Sequence, residues 1–163
     1  EEVRRKIGFL TSELKLEDFF TPDYLYDFFS ELYGIPTDRR DTRKRMLFAR
    51  FGIQEFAQVR VRDLSTGMKQ KVSLVISLVQ DPEIIIFDEP TNGLDILTAK
   101  VVTDFLLDLK EQGKTIIVST HIFSLVEKIC DRVGIIINGR MAACEDLRTL
   151  CGDKSLERGG REP

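Results

Sequence analysis

One continuous stretch, from Leu64 to Asp95, restricts the possible folds of this chain more than any other part of the sequence. It reads LSTGMKQKVSLVISLVQDPEIIIFDEPTNGLD, in which a helical pattern precedes a short apolar run and two adjacent acids. The apolar residues of the first part recur at spacings that place them on one face of a helix. They are Met68, Val72, Val75, Ile76 and Val79. The Asp81-Pro82 pair then predicts the end of this helix, since proline lacks the amide donor.

The second part of the stretch predicts a strand that ends in acids. The run from Ile84 to Phe87 is β-branched and lacks polar alternation, which predicts a strand covered on both faces. Asp88 and Glu89 follow at the carboxyl end, where open α/β sheets bind their ligands. One carboxylate there can hold a hydrated Mg²⁺ while its neighbour orients an attacking water. Such a pair can also be a helix cap or a solvated turn, but its setting favours a catalytic site.

The start of the predicted helix is suited to bind an anion. A helix N-terminus has unpaired N–H groups and the positive end of the helix dipole, so it attracts phosphate. Ser65 can cap this start or donate to a phosphate oxygen, and Gly67 permits a close approach of the backbone. Lys69 and Lys71 add positive charge, although solvated lysines are common on such a helix face.

Together these motifs resemble those of an ABC-type ATPase. LSTGMKQK is similar to the signature motif, IIIFDE to the Walker B strand and GLD to the D-loop. The resemblance implies an α/β fold, with a P-loop NTPase-like, mostly parallel sheet and an inserted helical subdomain. It places a partial ABC ATPase domain at residues 1–151 and a polar tail at 152–163. Within the domain, the helical subdomain is expected at about 13–80 and the core from Walker B to the H-loop at about 81–151.

The resemblance also implies roles for the motif residues. Asp88 would coordinate Mg²⁺ through water, Glu89 would act as the general base, and Asp95 would be the D-loop aspartate between paired sites. The signature residues would face the nucleotide across a dimer; they are Leu64, Ser65, Thr66, Gly67 and Met68. Two of these depart from the family pattern, because Thr66 stands where many members carry glycine and Met68 where they carry glutamine.

Two further positions are assigned by the same resemblance. His121, the only histidine, follows the run Thr115–Ser119, which predicts a second buried strand. A lone histidine is often structural, but this place matches the H-loop, whose histidine contacts the γ-phosphate. Ile7–Leu10 predicts a strand that leads into the Q-loop, where the usual glutamine falls at Ser12. The IGFLTS pattern is similar to that of some exporter-type cassettes.

Helical patterns occupy the segment between these strands. Thr21-Pro22 predicts a capped helix start, whose expected apolar face consists of Leu25, Phe28, Phe29 and Leu32. A second helix is expected from about Asp38 to Phe51, closed by Gly52. The basic start of this helix, at residues 39–45, is interpreted as a solvated face, with contact to a partner or an anionic membrane as the alternative.

A helix and a hairpin are expected after the acids. An amphipathic helix is predicted from Leu97 to Leu109, and a further apolar helix face follows His121. Asn138-Gly139 is a strong tight-turn signal, so the strand before it is expected to pair with residues 141–144 as a hairpin.

The sequence does not contain the motif of a phosphate-binding loop. Such a loop needs Gly-x-x-x-x-Gly-Lys-Ser/Thr, and the only glycine pair at that spacing, Gly134 and Gly139, continues into Arg140-Met141. The resemblance is therefore to the C-terminal part of a nucleotide-binding domain, without the Walker A strand and helix. We expect a gap in the sheet, poor stability or self-association of the chain, and no ATP hydrolysis by the chain alone.

Composition limits the class of protein. With 163 residues, 42% of them hydrophobic and 31% charged, the chain is typical of one soluble globular domain. A net charge of −3 argues against a nucleic-acid partner. The three cysteines have no metal-site spacing and fit a reducing compartment. No apolar stretch is long enough to cross a bilayer, and the charged first residues do not resemble a signal peptide.

The resemblance implies an ATP-binding and ATP-hydrolysing subunit of an ABC transporter of exporter type. Its cofactors would be ATP and Mg²⁺, and its partners a second ABC ATPase subunit and an integral membrane permease. Its place would be the cytoplasmic face of the membrane, held there by the permease. Two alternatives remain at this point: a naturally truncated, non-catalytic ABC module, or a non-transport ABC ATPase of DNA repair or translation.

Overall fold

The computed structural model describes residues 6–11 and 16–150, which form two compact units that divide between Ser119 and Thr120. The strands are β1 (Ile7–Leu10), β2 (Ile84–Asp88), β3 (Thr115–Ser119), β4 (Arg132–Ile137) and β5 (Arg140–Asp146). The α-helices are α1 (Pro22–Leu32), α2 (Thr37–Phe51), α3 (Thr66–Ile76), α4 (Ile96–Glu111) and α5 (Phe123–Ile129). Two short 3₁₀ helices, Ile53–Phe56 and Val61–Asp63, lie between α2 and α3.

The first unit is built on a parallel sheet in the order β1-β2-β3. Strand β2 is central, and its last residue, Asp88, is in register with Ser119 of β3. Strands β4 and β5 form a separate antiparallel pair in the second unit. The strand predicted at Ile7–Leu10 is confirmed as β1, and the strand predicted before the two acids is confirmed as β2. The mostly parallel α/β fold is confirmed as well.

The burial of the sheet differs from the expectation. On β2, Ile85 and Phe87 are fully buried, but the residues that face the other way are only half-buried. The prediction that Thr115–Ser119 is a second buried strand is wrong, because Ile117 is 54% exposed. In the described part of the chain, β3 pairs with β2 alone and is an edge strand. A β-branched run predicts the strand itself, whereas its burial depends on which elements cover it.

Helices α1, α2 and α3 lie between β1 and β2 in the chain, where the inserted helical subdomain was expected. The Thr21 hydroxyl accepts a hydrogen bond from the Tyr24 amide at 3.2 Å, so the predicted N-cap of α1 is confirmed. Gly52 ends α2 in the left-handed conformation, with a φ of 66°, as the sequence predicts.

The predicted apolar face of α1 is partly wrong. Leu25 is buried, but Phe28 and Leu32 are 47% and 65% exposed. The buried side of α1 includes Tyr26 instead. The Tyr26 ring packs edge-on against the ring of Phe48 of α2 at a centroid distance of 5.6 Å. Burial also raises the pKa of the Tyr26 hydroxyl to about 12, since the charged form is poorly solvated there.

The basic start of α2 is used mainly inside the chain. The Arg40 guanidinium lies 3.4 Å from the Asp27 carboxylate of α1, and Lys44 pairs with the same carboxylate at 3.1 Å. Arg43 lies 3.1 Å from Asp81 and also donates to the Leu78 carbonyl, so it ties α2 to the segment before β2. The interpretation as a solvated face is therefore wrong for these three residues, because acids on neighbouring elements lie within reach.

Asp81 is held by cations from two elements. Its carboxylate accepts from Lys114 at 2.9 Å as well as pairing with Arg43. Partial burial opposes ionisation of Asp81, but the Lys114 hydrogen bond and the two positive charges outweigh burial and lower its pKa. This cluster joins α2, the turn before β2 and the turn after α4.

The second unit contains α5 and the β4–β5 hairpin. Asn138 and Gly139 both have positive φ, 50° and 73°, which is the geometry of a type I′ turn. The predicted hairpin is thereby confirmed. In neither unit does the structure describe a helix that combines the length and the apolar character needed to cross a membrane.

Candidate functional site

Ser65 caps the start of α3. Its hydroxyl accepts a hydrogen bond from the Met68 amide at 3.3 Å, and its carbonyl accepts from Lys69 at 2.9 Å. Ser65 and Thr66 are exposed, while Gly67 and Met68 are half-buried. Leu64, just before the cap, is buried and anchors the helix start. The predicted signature residues therefore form an exposed helix N-terminus on a fixed base, an arrangement that attracts anions.

The helix start packs beside the turn that follows the acids. A β-carbon built on Gly67 would lie 3.6 Å from the Gly93 carbonyl oxygen and 3.9 Å from the Leu94 side chain. A β-carbon built on Gly93 would lie 3.7 Å from the Thr66 methyl group. Gly93 has a φ of 72°, a conformation that favours glycine. The structure thus brings the predicted signature motif and the predicted D-loop together within the first unit.

The two acids lie at the carboxyl end of β2, as predicted. Asp88 is the last residue of the strand, and its carboxylate accepts a hydrogen bond from the Ser119 hydroxyl on β3. Both acids are half-buried. The Glu89 amide donates to the Ser119 carbonyl at 2.9 Å, which extends the ladder one residue beyond β2.

Glu89 lies where the chain leaves the sheet. Its φ is 48°, a left-handed conformation that is uncommon for a residue other than glycine. The Glu89 carbonyl then accepts from the Asn92 amide at 3.0 Å, which closes a turn above the strand. Strained backbone of this kind is concentrated at functional sites, so the observation supports a functional reading of the turn.

Asp95 is the N-cap of α4. Its carboxylate accepts from the Thr98 amide at 2.9 Å and from the Thr98 hydroxyl at 2.6 Å. The Thr98 hydroxyl is the main cause of a lowered Asp95 pKa, because hydrogen bonds to a carboxylate favour its charged form. The cap holds the D-loop turn against a rigid helix.

Two further residues, His121 and Ser12, were predicted for the site. His121 is exposed and belongs to the second unit, between β3 and α5. Next to it, the Thr120 hydroxyl accepts from the Ile122 amide at 3.1 Å, which shapes the turn into α5. Ser12, at the Q-loop position, lies outside the described residues.

The donor set at the end of β2 fits a hydrated magnesium ion. Among the described residues, no cluster of three or more His, Cys, Asp or Glu side chains is arranged to hold a metal. Mg²⁺ commonly keeps several waters and binds through one or two carboxylates together with substrate phosphates. Asp88, a single carboxylate at the end of the central strand β2, suits that mode and not a closed protein cage.

Ser119 is the residue that sequence reasoning missed. It contacts both acids, yet in the sequence it reads only as the end of an apolar run. The signal in the sequence is that two apolar strands, β2 and β3, each end in a polar residue, Asp88 and Ser119. The register that brings Ser119 to Asp88 is a property of the paired strands and is not written in either segment alone.

Comparisons with known proteins identify the family of the chain. The family model described as ABC transporter matches residues 1–92 of the chain. The ABC transporter ATP-binding protein NatA of Bacillus subtilis is 39% identical over 91% of the chain and 61% of its own length. A fluoroquinolones export ATP-binding protein of Mycobacterium tuberculosis is 36% identical over 76% of the chain and 40% of its own length. The chain therefore spans less than two thirds of each of these relatives.

Two solved structures are similar in fold. An ATP-binding subunit of an ABC transporter matches with a TM-score of 0.86 and 28% identity, over 94% of this chain and 64% of that one. A dimeric ATP-binding cassette in a post-hydrolysis state, bound to ADP and Pi, matches with a TM-score of 0.80 and 25% identity, over 90% of this chain and 66% of that one. With the family model, the motifs and the fold in agreement, the chain belongs to the ABC transporter family of ATP-binding proteins.

Proposed function

We propose that this chain supplies the signature, Walker B, D-loop and H-loop parts of an ATP-hydrolysing subunit of an ABC exporter. The observation that carries the proposal is the contact between the capped start of α3 and the turn after Asp88-Glu89. It fixes the exposed helix start relative to the carboxylates at the end of β2, so that the helix start can attract a phosphate held by a partner subunit while the carboxylates serve phosphoryl transfer in the chain's own subunit. The name of the relative from Mycobacterium tuberculosis, a fluoroquinolones export ATP-binding protein, favours export over import.

In the proposed reaction, Glu89 polarises a water for attack on the γ-phosphate. Asp88 would hold Mg²⁺ through water, and the ion, when bound, would neutralise charge on the phosphates. His121 would contact the γ-phosphate, and Ser12 would take the Q-loop position with a shorter reach than glutamine. Asp95, at the start of α4, would couple the nucleotide site of one subunit to the nucleotide site of its partner.

The proposed partners follow from the exposed signature residues. Ser65 to Met68 would face ATP bound by a second ABC ATPase subunit, so that a dimer closes on the nucleotide, while the buried Leu64 would anchor them. The dimeric form of one solved relative supports this arrangement. An integral membrane permease would hold the pair at the cytoplasmic face of the membrane and would determine the transported substrate.

The dimer is tested with a chimera that supplies a phosphate-binding loop. A strand and a Gly-x-x-x-x-Gly-Lys-Ser/Thr loop are joined ahead of this chain. The mass is followed by sedimentation with and without MgATP in a slow-hydrolysing Glu89→Gln background. We expect MgATP to produce dimers. Ser65→Arg, which adds bulk and positive charge at the exposed helix start, should abolish them.

The control is Thr42→Arg, which adds the same side chain at an exposed position of α2. It should leave the dimer unchanged, and circular dichroism checks that each variant keeps its helices. A folded chimera that remains monomeric in MgATP contradicts the proposed pairing. Dimers that are indifferent to Ser65→Arg contradict the role of the signature residues.

A further inference from the structure

Ser119 contacts both acids of the proposed site, although the motif resemblance gives it no role. We propose that Ser119 is a positioning residue, which fixes the Asp88 carboxylate and the Glu89 backbone in the arrangement that receives a hydrated divalent cation. This inference rests on the proposed ATPase function, because the cation belongs to that function. Ser119 would act through two hydrogen bonds. One goes from its hydroxyl to the Asp88 carboxylate, and the other joins its backbone carbonyl to the Glu89 amide.

The register of the sheet places Ser119 beside Asp88. Asp88 pairs with Ser119, and two residues earlier Ile86 pairs with Ile117. In-register residues on neighbouring strands point to the same face of a sheet. This face therefore changes from an apolar pair to a polar pair at the carboxyl edge of β2, where the ligand would bind.

Two contacts from one residue constrain the two acids separately. The Ser119 hydroxyl donates to Oδ1 of Asp88, which limits the rotation of that carboxylate. The Ser119 carbonyl accepts from the Glu89 amide at 2.9 Å, at the residue whose φ is 48°. The ladder bond is available to any residue at this position, whereas the carboxylate contact needs a short hydroxyl side chain. The side chain of Ser119 is therefore the specific part of the device.

A hydrogen-bonded carboxylate is a better metal ligand because its orientation is already fixed. Partners that orient metal ligands commonly change metal affinity by about 10- to 100-fold when they are removed. If the Ser119 hydroxyl serves only to satisfy its own polarity, its removal should leave Asp88 and the cation unaffected. The two readings therefore predict different results for the same substitution.

The first measurement needs no metal. In chain labelled at aspartate, NMR couplings across the Cα–Cβ bond of Asp88 report whether its side chain occupies one rotamer. We expect one rotamer in the parent and in Ser119→Thr, which keeps the hydroxyl, and averaging in Ser119→Ala. Thr115→Val removes an exposed hydroxyl from the same face of β3, far from Asp88, and should change nothing. A single Asp88 rotamer in Ser119→Ala overturns the positioning role.

The second measurement adds Mn²⁺, a paramagnetic substitute for Mg²⁺, and follows broadening of the Glu89 amide signal. We expect the half-saturating Mn²⁺ concentration to rise about tenfold in Ser119→Ala and to recover in Ser119→Thr. If Mn²⁺ does not broaden the Glu89 amide signal of the parent, or still broadens it in Asp88→Asn, the proposed metal site is contradicted. The Asp88 rotamer measurement is independent of that outcome. The inference is overturned if the parent and Ser119→Ala have the same half-saturating Mn²⁺ concentration while Asp88→Asn loses the broadening. In that case the metal site at Asp88 is retained, but Ser119 does not position it.

Discussion

Glu89 combines an unfavourable backbone conformation with the proposed catalytic carboxylate. Its φ of 48° costs an L-residue roughly 1–2 kcal/mol relative to ordinary backbone geometry. Asparagine adopts this conformation more readily, whereas a β-branched residue adopts it poorly. The side chain at position 89 therefore affects stability and chemistry in different ways.

We expect Glu89→Asn to raise the free energy of unfolding by roughly 0.5 kcal/mol and Glu89→Val to lower it by more than about 1 kcal/mol. Both substitutions remove the proposed base, so any hydrolysis by the chimera with the phosphate-binding loop should be lost in both. Urea unfolding followed by circular dichroism measures the difference. Equal stability of the two variants would show that the left-handed conformation carries no strain.

Asp95 stabilises the start of α4 through its two hydrogen bonds with Thr98. Asp95→Ala should lower the melting temperature, because the Thr98 amide loses its partner. Since the folded pKa of Asp95 is lowered, its contribution is present above the ordinary pKa of 3.8 and is lost as pH falls through the folded value. Melting curves over a series of acidic pH values measure this loss.

Asp95→Asn is the matched control, because asparagine is also a good N-cap but has no titrating group. It should melt near the parent at neutral pH and show a smaller loss of stability in acid. A parent and an Asn variant with the same pH dependence would show that ionisation of Asp95 does not stabilise the fold.

Strand β1 meets the rest of the first unit through a glycine. A β-carbon on Gly8 would lie 2.6 Å from the Ser77 carbonyl oxygen and 2.7 Å from the Pro82 ring, and the carbonyl is backbone. Gly8→Ala should therefore lower the free energy of unfolding by about 1–3 kcal/mol, since the backbone must shift.

Gly134→Ala is the control for that substitution. It also adds a methyl group to a strand, but the nearest atoms are 3.4 Å and 3.6 Å away and belong to the flexible end of Met141. It should be tolerated with little change. Denaturant unfolding compares the two variants, and an equal cost would refute the close approach of β1 to the turn before β2.

The elements of this fold differ in how far the sequence predicts them. Helix starts at Thr21 and Ser65, the Gly52 helix end and the hairpin turn depend on a few adjacent residues, and all are confirmed. Burial depends on neighbours that are distant in sequence. That is why the outward side of α1, with Phe28, was misassigned.

The candidate site shows the same limit. The order of the motifs predicted that the acids would follow a strand and that a helix start would precede it. The close approach of Thr66 to Gly93, the hydrogen bond from the Ser119 hydroxyl to Asp88 and the φ of Glu89 arise from strand register and chain packing. None of these can be derived from local pattern alone.

At the scale of the whole molecule, the exposed edge of the parallel sheet should control association. Strand β3 pairs only with β2 in the described part of the chain, and Ile117 on it is 54% exposed. An exposed apolar edge strand favours pairing between copies. We expect the chain to self-associate, and Ile117→Lys to reduce this association, as measured by sedimentation velocity.

Met46→Lys is the matched control, because Met46 is 51% exposed but lies on α2, away from the sheet edge. It adds the same charge and should leave association unchanged. A parent chain that is monomeric, with a sharp unfolding transition, contradicts this expectation. An equal effect of both lysines would attribute the association to net charge and not to the strand.

We propose that Glu89 is the catalytic carboxylate of an ABC ATPase. The most informative measurement is the Mg²⁺-dependent turnover of ATP by the chimera with the phosphate-binding loop, compared with Glu89→Gln and with Glu111→Gln at an exposed position of α4. We expect hydrolysis by the chimera, a loss of about 10²- to 10⁴-fold in kcat for Glu89→Gln, and no change for Glu111→Gln. A folded chimera whose turnover is the same with and without the Glu89 carboxylate would contradict it.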